Sequence, residues 1–283
     1  MLITSAIVPG PPALVAELMG SAAHELDDLR DAADRAVSGV LAALVARSAR
    51  APKRGASGVG AGAGDGSGSG ARQGAGPGEG AAQLVVVGPG EPAEFNAAGP
   101  VSFASFGRDV TLPALVAGRL VDDELPTPIL VARYLASRDI AAHPGHAGLW
   151  ASARWVTTSG GDATALGERL AATGTAVGLI LVADGATCHG AKAPRAQDDR
   201  APAYDDGVCA ALASGQASRL AQIDAVLGEE LGANGYEVWP VLVAATAAAV
   251  GSGAGGDRQA VGEVLWAGAP YGVGWAVATW HAP

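Results

Sequence analysis

Apolar residues along the chain follow two patterns, one continuous and one with helical spacing. Leu2–Val8 is an almost continuous apolar run rich in β-branched residues, with Thr4 and Ser5 in the middle, and a turn of proline and glycine ends it. Such a run is typical of a strand that is buried on both faces of a sheet. Over residues 13–47, aliphatic residues recur at helical spacing while acidic residues occupy the other side. This pattern predicts a long amphipathic helix with a break near Gly20.

The rest of the chain repeats this alternation. Strands are predicted at residues 83–87, 101–105, 153–158, 177–183, 260–267 and 272–280, and helices at residues 112–120, 128–137, 163–173, 203–213, 217–227 and 229–249. Alternating strands and helices favour an α/β fold, and two adjacent strands at the end make the sheet mixed. We therefore expect a three-layer αβα sandwich around a mostly parallel, mixed central sheet, as a single domain over residues 1–283.

One stretch has neither pattern. Between Gly55 and Gly80, glycine alternates with alanine, serine and single charges, and Val59 is the one branched aliphatic residue. Such a composition buries too little apolar surface to offset its ordering entropy, so we expect a disordered insertion at about residues 51–82. Its glycines do not form a phosphate-binding loop, because the Gly-Lys-Ser/Thr ending and the flanking strand and helix are missing.

Charge and cysteine usage narrow the classes of partner. The chain has 18 Lys+Arg and 28 Asp+Glu, a net charge of -10 without a strong basic cluster, so nucleic acid is not an expected partner. Cys188 and Cys209 are too few for a disulfide framework or a zinc knuckle, which favours a cytoplasmic location. The longest alanine-rich apolar run, residues 241–250, is shorter than the roughly 20 residues of a membrane helix. The N-terminus has no basic residue before Arg30 and does not resemble a signal peptide.

The turns that follow the predicted buried strands are the places to search for a site. Open α/β sheets bind ligands beyond the carboxyl ends of their strands. The chain leaves Val8, Val87 and Ala183 through the turns Pro9-Gly10-Pro11-Pro12, Gly88-Pro89-Gly90-Glu91-Pro92 and Asp184-Gly185-Ala186-Thr187-Cys188-His189-Gly190. Because the carboxyl ends of parallel neighbours meet at one edge of a sheet, we expect these three turns to lie together.

In this order, the three turns resemble those of the class III extradiol ring-cleavage dioxygenases, the LigB-like superfamily. The first strand ends in Pro-x-Pro, the second ends in Gly-Pro-x, and the third leads into Asp-Gly-Ala-Thr-Cys-His. Residues 203–220 extend the resemblance, and residues 268–274 are similar to a high-GC bacterial branch of the superfamily. The resemblance covers most of the chain outside the glycine-rich stretch. It implies a site that holds Fe(II) with two histidines and one glutamate and leaves positions open for a catecholic substrate and dioxygen.

The iron-binding histidines that the resemblance implies are absent at the matching positions. The first falls on Gly10 and the second on Gly90, and glycine has no side-chain donor for a metal. The glutamate ligand falls on Glu237, although its spacing to Trp239 is shorter than in the family pattern. Taken without the resemblance, Glu237 is more typical of a carboxylate on a helix surface. The resemblance therefore implies that the iron site has been lost, and no cofactor is expected.

The acid/base histidine of the family falls on His189, in a similar turn. In the family this histidine takes a proton from the substrate hydroxyl, which requires hydrogen-bond reach. Asp184 stands at the end of the same strand and could orient His189 or a ligand, although Asp before Gly is also common turn chemistry. We expect His189 to be the catalytic or ligand-binding base in a cleft that also includes Gly10, Gly90, Asp184 and Glu237.

Two other groups of side chains have metal-binding chemistry. Glu91 and Glu237 with His189 would make a replacement site that favours Mg²⁺ or Mn²⁺, if the fold brings them together. His143 and His146 have metal-like spacing, but the Pro-Gly between them makes a turn and no acidic or cysteine ligand is adjacent in sequence. A plain surface loop is therefore the favoured interpretation of these two histidines.

These observations predict a cytoplasmic LigB-like protein that binds a small molecule or a protein partner without ring-cleavage activity. The alternative is an active non-haem Fe(II) extradiol dioxygenase that acts on a catecholic substrate through ligands elsewhere in the chain. A third hypothesis is a pure interaction protein on the same fold. The feature that separates the first two hypotheses is the presence of imidazole at the iron site.

Overall fold

The computed structural model describes residues 1–50, 82–121, 124–251 and 260–282. The predicted insertion at about residues 51–82 lies outside these residues, except for its last position. Strands are β1 (Leu2–Val8), β2 (Gln83–Pro89), β3 (Ala93–Phe95), β4 (Val101–Ser102), β5 (Thr111–Leu112), β6 (Arg154–Thr158), β7 (Val177–Val182), β8 (Val261–Gly268) and β9 (Trp275–His281).

Helices occupy most of the remaining described residues. They are α1 (Ala16–Met19), α2 (Asp27–Arg50), α3 (Thr127–Ala142), α4 (Ala147–Ala151), α5 (Gly160–Ala172), α6 (Ala201–Ser214), α7 (Ala217–Leu220), α8 (Ala225–Glu230) and α9 (Trp239–Gly251). Short 3₁₀ turns lie at Pro12–Leu14, Gly20–Leu26, Ala104–Phe106, Pro144–His146 and Gly235–Glu237. No helix in the described part of the chain has both the length and the apolar character to cross a membrane.

Seven strands form one mixed sheet in the order β3-β6-β2-β7-β1-β9-β8. The four strands β6, β2, β7 and β1 are parallel, whereas β3 and β9 are antiparallel to the strands beside them. In the parallel register Val8 pairs with Val182, and Val87 pairs with Leu181. The turns after β1, β2 and β7 therefore meet at one carboxyl edge, as predicted. The strand β9 is antiparallel to β1 and therefore starts at this edge, so the connection from β8 to β9 also lies here.

Helices cover both faces of the sheet, which confirms the predicted three-layer α/β fold. Along β7, Leu179 and Leu181 belong to a core cluster with residues of α5, α6 and α9. The alternate residues Ile180 and Val182 belong to a second cluster, with residues of α2 and α3. This alternation follows from the two-residue period of a strand, and it explains why the buried strands are continuous apolar runs.

The sequence also predicts most element positions near the site. The predicted strands at residues 83–87, 153–158 and 177–183 coincide with β2, β6 and β7. The predicted break in the helix at residues 13–47 is confirmed at Gly20, which has a φ of 58°. Only glycine adopts this left-handed conformation without strain, so the chain leaves α1 there before α2 begins.

The predicted helix at residues 112–120 is wrong. Its first residue belongs to β5, which pairs with β4 in a separate two-stranded sheet, and turns follow. The fully buried Arg133 of α3 explains this conformation, because its guanidinium donates hydrogen bonds to the carbonyls of Gly99 at 3.2 Å and Pro113 at 2.9 Å. This long-range contact satisfies carbonyl groups that a local helix would otherwise use.

The limits of the predicted helices at residues 217–227 and 229–249 are also wrong. The first is split into α7 and α8, and Asp224 caps α8 by accepting a hydrogen bond from the Leu227 amide at 3.0 Å. The second starts late, at the beginning of α9, because Gly232 with a φ of 72° follows the end of α8. The loop between α8 and α9 forms backbone hydrogen bonds with the turn after β7, and these bonds position the site.

Candidate functional site

A cavity of about 290 Å³ lies at the carboxyl edge of the sheet. Its walls come from the turn after β7, from α6 and from the connection between β8 and β9. The larger apolar residues of its lining are Ile7, Val208, Leu212, Trp239 and Trp275, and its charged or titratable residues include Asp184, His189, Asp205, Asp206 and Cys209. No lysine or arginine is among its described lining residues. Apolar walls with a few polar groups are typical of small-molecule pockets.

His189 and Asp205 form a close pair in the cavity wall. The ring nitrogen Nε2 of His189 lies 2.5 Å from Asp205 Oδ2, and the Asp205 carboxylate also accepts a hydrogen bond from the Ala186 amide at 3.1 Å. An ionised carboxylate only accepts hydrogen bonds, so it fixes the neutral imidazole with its proton on Nε2. The nitrogen Nδ1 of His189 is then an acceptor, and no group of the described residues bonds to it. In the neutral ring, Nδ1 can accept a hydrogen bond from a ligand hydroxyl that reaches it.

Burial governs the electrostatics of this pair. The side chains of His189 and Asp205 are 13% and 16% exposed. Burial raises the pKa of the Asp205 carboxyl, whereas the hydrogen bonds from His189 and Ala186 oppose this shift. A partly desolvated carboxylate strengthens its hold on the imidazole, because the interaction is screened less than in water.

Two glycines make room for the Asp205 carboxylate. A Cβ atom on Gly274 would lie 1.7 Å from Asp205 Oδ2, and one on Gly185 would lie 2.3 Å from Oδ1. The same two loops are joined by backbone hydrogen bonds of 2.7 Å, from Gly185 to Gly274 and from Gly274 to Ala186. The pair with His189 therefore depends on the close approach of two backbone segments that only glycine permits.

Asp184 has a different role from the one considered for it. Its Oδ1 accepts a hydrogen bond from the Gly10 amide at 3.0 Å, and its Oδ2 accepts one from Asn234 at 3.3 Å. The Asp184 amide in turn donates to the side-chain oxygen of Asn234 at 2.7 Å. Burial raises the pKa of Asp184 to about 6. Asp184 thus joins the turns after β1 and β7, and it is Asp205 that orients His189.

Gly90 and Glu237 form a third contact at this edge. The Gly90 amide donates a hydrogen bond to the Glu237 carboxylate, while burial raises the pKa of Glu237 and the nearby Glu91 raises it further. Glu237 lies in the 3₁₀ turn before α9 and is half-buried, which differs from the alternative of an exposed carboxylate on a helix surface. Of the five predicted site residues, His189 and Asp184 line the cavity, whereas Gly10, Gly90 and Glu237 are not among its lining residues.

The side chains at this edge do not fit an iron centre with two histidines and one glutamate. Gly10 and Gly90 supply only backbone groups, and the one imidazole in the cavity lining is bonded to Asp205. In the described residues, three His, Cys, Asp or Glu side chains with metal-binding spacing come together only at residues 139–146, in a different part of the fold. The replacement site considered for Glu91, Glu237 and His189 is therefore not formed.

Three lining residues carry polar hydrogens without a partner. The hydroxyl of Tyr204 and the indole nitrogens of Trp239 and Trp275 are buried, and none has a hydrogen-bond partner among the described residues. A buried donor without a partner costs about 1–3 kcal/mol. A ligand with acceptor groups would recover part of this cost if a small side-chain movement brought the donors into the cavity wall.

Asp205 is the main residue of the candidate site that sequence reasoning missed. It lies within a predicted helix, and its partner precedes it by 16 residues, so no helical or strand spacing connects the two. His146 is the second correction, because it is buried, in contrast to the surface loop that was expected. A visible signal was Asp139, which precedes His143 by one helical turn.

No family model matches the chain, and no curated protein matches it. These comparisons therefore assign neither a family nor an activity. The resemblance to the LigB-like superfamily rests on the sequence alone, through the strand-end turns, their order, and residues 203–220 and 268–274.

Proposed function

We propose that this chain is a LigB-like protein that binds a small, mostly apolar ligand and does not cleave rings. The observation on which the proposal depends is the cavity of about 290 Å³ with the His189–Asp205 pair in its wall. An imidazole held by a carboxylate is a well-oriented acceptor for a ligand hydroxyl, and the apolar walls supply the rest of the binding surface.

The charge of the lining restricts the ligand. Asp184, Asp205 and Asp206 line the cavity, and no described lysine or arginine balances them. An anionic ligand would be repelled and would lose its hydration without a counter-charge. The indoles of Trp239 and Trp275 favour an aromatic ring, and they would also attract a cation. The ligand class that we propose is a single ring with a hydroxyl group and a neutral or positive charge.

The absence of two imidazoles supports binding without ring cleavage. Fe(II) dioxygenases need a facial set of two histidines and one carboxylate, with positions left open for substrate and oxygen. Gly10 and Gly90 stand where the resemblance places these histidines. The alternative of an active dioxygenase is supported only by the resemblance itself.

Binding of simple probes tests the proposal. Phenol, the cationic tyramine and the anionic benzoate would be titrated into the purified chain while tryptophan fluorescence and heat are recorded. We expect phenol and tyramine to bind and benzoate to bind at least about 10-fold more weakly, because a negative charge placed beside carboxylates that no described lysine or arginine balances costs more than about 1.4 kcal/mol. His189→Ala should weaken phenol binding by about 10-fold, which corresponds to one lost hydrogen bond of about 1–1.5 kcal/mol.

A matched control is His24→Ala, since His24 is exposed on the 3₁₀ turn before α2. This variant should bind phenol like the wild type. Equal phenol affinity of the His189→Ala variant, or a preference for benzoate, would contradict the proposed site. Catechol supplied with Fe(II) and air should give no yellow ring-fission product above a heat-killed control, and such a product would establish the dioxygenase alternative instead.

A further inference from the structure

A second cluster of titratable side chains lies at the amino edge of the parallel strands. Asp139 is in the last turn of α3, His143 follows the helix, and His146 ends the next 3₁₀ turn. The helix α4 then leads directly into the start of β6, which places the cluster at the edge opposite the cavity. Nothing in the strand-end turns of the candidate site contributes to it.

Local backbone geometry brings these three side chains together. Residues four apart on a helix share a face, and the His143 amide continues the helix by donating to the Asp139 carbonyl at 2.7 Å. The following turn is tight, with the His146 amide donating to the His143 carbonyl at 2.9 Å. As a result the two imidazole rings stack with centroids 5.1 Å apart.

Both rings present a nitrogen to the same carboxylate. His146 Nδ1 lies 3.0 Å from Asp139 Oδ2, and His143 Nδ1 lies 3.3 Å from Asp139 Oδ1. One ligand atom from each residue can be chosen so that all three lie within 4.8 Å of one another. Tetrahedral zinc with bonds of about 2.0–2.2 Å separates its ligand atoms by about 3.4 Å, so small side-chain movements suffice to bind an ion.

The carboxylate at the centre is buried and already oriented. The Asp139 side chain is 1% exposed, and the indole of Trp150 donates a hydrogen bond to its Oδ2 at 2.7 Å. A hydrogen-bond donor behind the ligating carboxylate is a common feature of metal sites. Among the described residues no lysine or arginine pairs with Asp139. Its charge is therefore balanced only by the imidazoles or by a bound cation.

We infer that Asp139, His143 and His146 bind a divalent transition-metal ion, and that zinc is the ion best suited to this set of ligands. Two imidazole nitrogens and one carboxylate oxygen are borderline ligands that zinc accepts, whereas Mg²⁺ and Ca²⁺ prefer sets of oxygens. Half of the His143 side chain is exposed, which gives an ion a route from solvent. Three protein ligands leave the fourth zinc position for water.

Zinc titration of the full chain, free of any histidine tag and stripped with a chelator, tests this inference. We expect one zinc ion per chain by calorimetry and a rise in the melting temperature, because an ion that binds only the folded state stabilises it. His143→Ala should weaken zinc binding by about 100-fold, since it removes one of three ligands. This variant should still fold because the side chain is half-exposed, and His24→Ala is the matched control.

Zinc X-ray absorption provides a second readout that does not depend on affinity. We expect two imidazoles and one carboxylate around the ion, and loss of one imidazole in the His143→Ala variant. Absence of stoichiometric zinc binding would overturn the inference. So would equal affinity of the wild type and the His143→Ala variant, or sulfur atoms among the zinc neighbours, because the described cysteines are not part of this cluster.

Discussion

Aspartate and histidine meet at both edges of the central sheet, but the two places differ in the number of imidazoles and in the space around them. At the carboxyl edge one imidazole, His189, pairs with Asp205 beside a cavity of about 290 Å³. At the amino edge two imidazoles face the buried carboxylate of Asp139 at the end of α3. One oriented acceptor beside an apolar space suits an organic ligand, whereas three converging donors suit a metal ion. The same two residue types thus support different chemistry according to their surroundings.

The largest expected difference between the two regions is in stability. Asp139→Ala should lower the free energy of unfolding of the metal-free chain by about 3 kcal/mol, because the buried donor of Trp150 loses its acceptor. Asp205→Ala should cost about 1 kcal/mol, because water in the cavity can replace a carboxylate that is 16% exposed. Urea unfolding with a chelator present measures both values. Equal losses of unfolding free energy in the two variants would contradict the expected difference in burial between the two carboxylates.

Glycine substitutions give the next difference. Gly274→Ala should lower the free energy of unfolding by about 2 kcal/mol, since the new Cβ displaces the Asp205 carboxylate from its hydrogen bonds. Gly145 lies in the turn between the two histidines, and a Cβ there would meet nothing within 4 Å. Gly145→Ala should therefore change stability by less than about 0.5 kcal/mol. A harmless Gly274→Ala substitution would contradict the close packing of the loops around Asp205.

Stability should also depend on pH through Asp184 at the carboxyl edge. Burial raises its pKa to about 6, whereas the ordinary value is 3.8, so the folded chain holds this proton more tightly than the unfolded chain. The contribution of Asp184 to stability should fall as pH rises from about 4 to 6 and then level off. The full shift corresponds to at most about 3 kcal/mol.

The variant Asp184→Asn isolates this effect from the other carboxyl groups. Urea unfolding of the wild type and the variant from pH 4 to pH 7 gives a difference curve in which only Asp184 titrates. The stability of the wild type relative to the variant should decrease over this range. A flat or rising difference would mean that the Asp184 carboxyl is ionised as easily in the folded chain as in the unfolded one.

The strands and helices that could be predicted are those whose burial leaves a local pattern of apolar residues in the sequence. The strands β1 and β7 are largely apolar runs because helices cover both faces of the sheet, and such runs are visible in the sequence. The short edge strand β3 has no buried residue and leaves no such pattern. The helix predicted around Pro113 is wrong because the hydrogen bond from Arg133 to the Pro113 carbonyl joins residues 20 positions apart, and no local sequence pattern reveals such a contact.

The site could be predicted only in part, for a similar reason. His189 was identified because it lies in a turn that follows the carboxyl end of a buried strand and resembles the family turn, and it does line the cavity. Its partner Asp205 was missed because their contact depends on two loops that approach through Gly185 and Gly274. Asp139 was missed because the predicted helix ends at residue 137. The helix α3 continues to Ala142, and this places Asp139 one helical turn before His143.

The measurement that tests the separation of the two regions most directly is a crossed titration of the wild type, His189→Ala and His143→Ala with phenol and with zinc. We expect His189→Ala to weaken phenol binding by about 10-fold and to leave zinc affinity unchanged. We expect His143→Ala to weaken zinc binding by about 100-fold and to leave phenol affinity unchanged. Variants that each weaken both ligands, or that weaken neither, would contradict the assignment of a ligand cavity to one edge of the sheet and a metal site to the other.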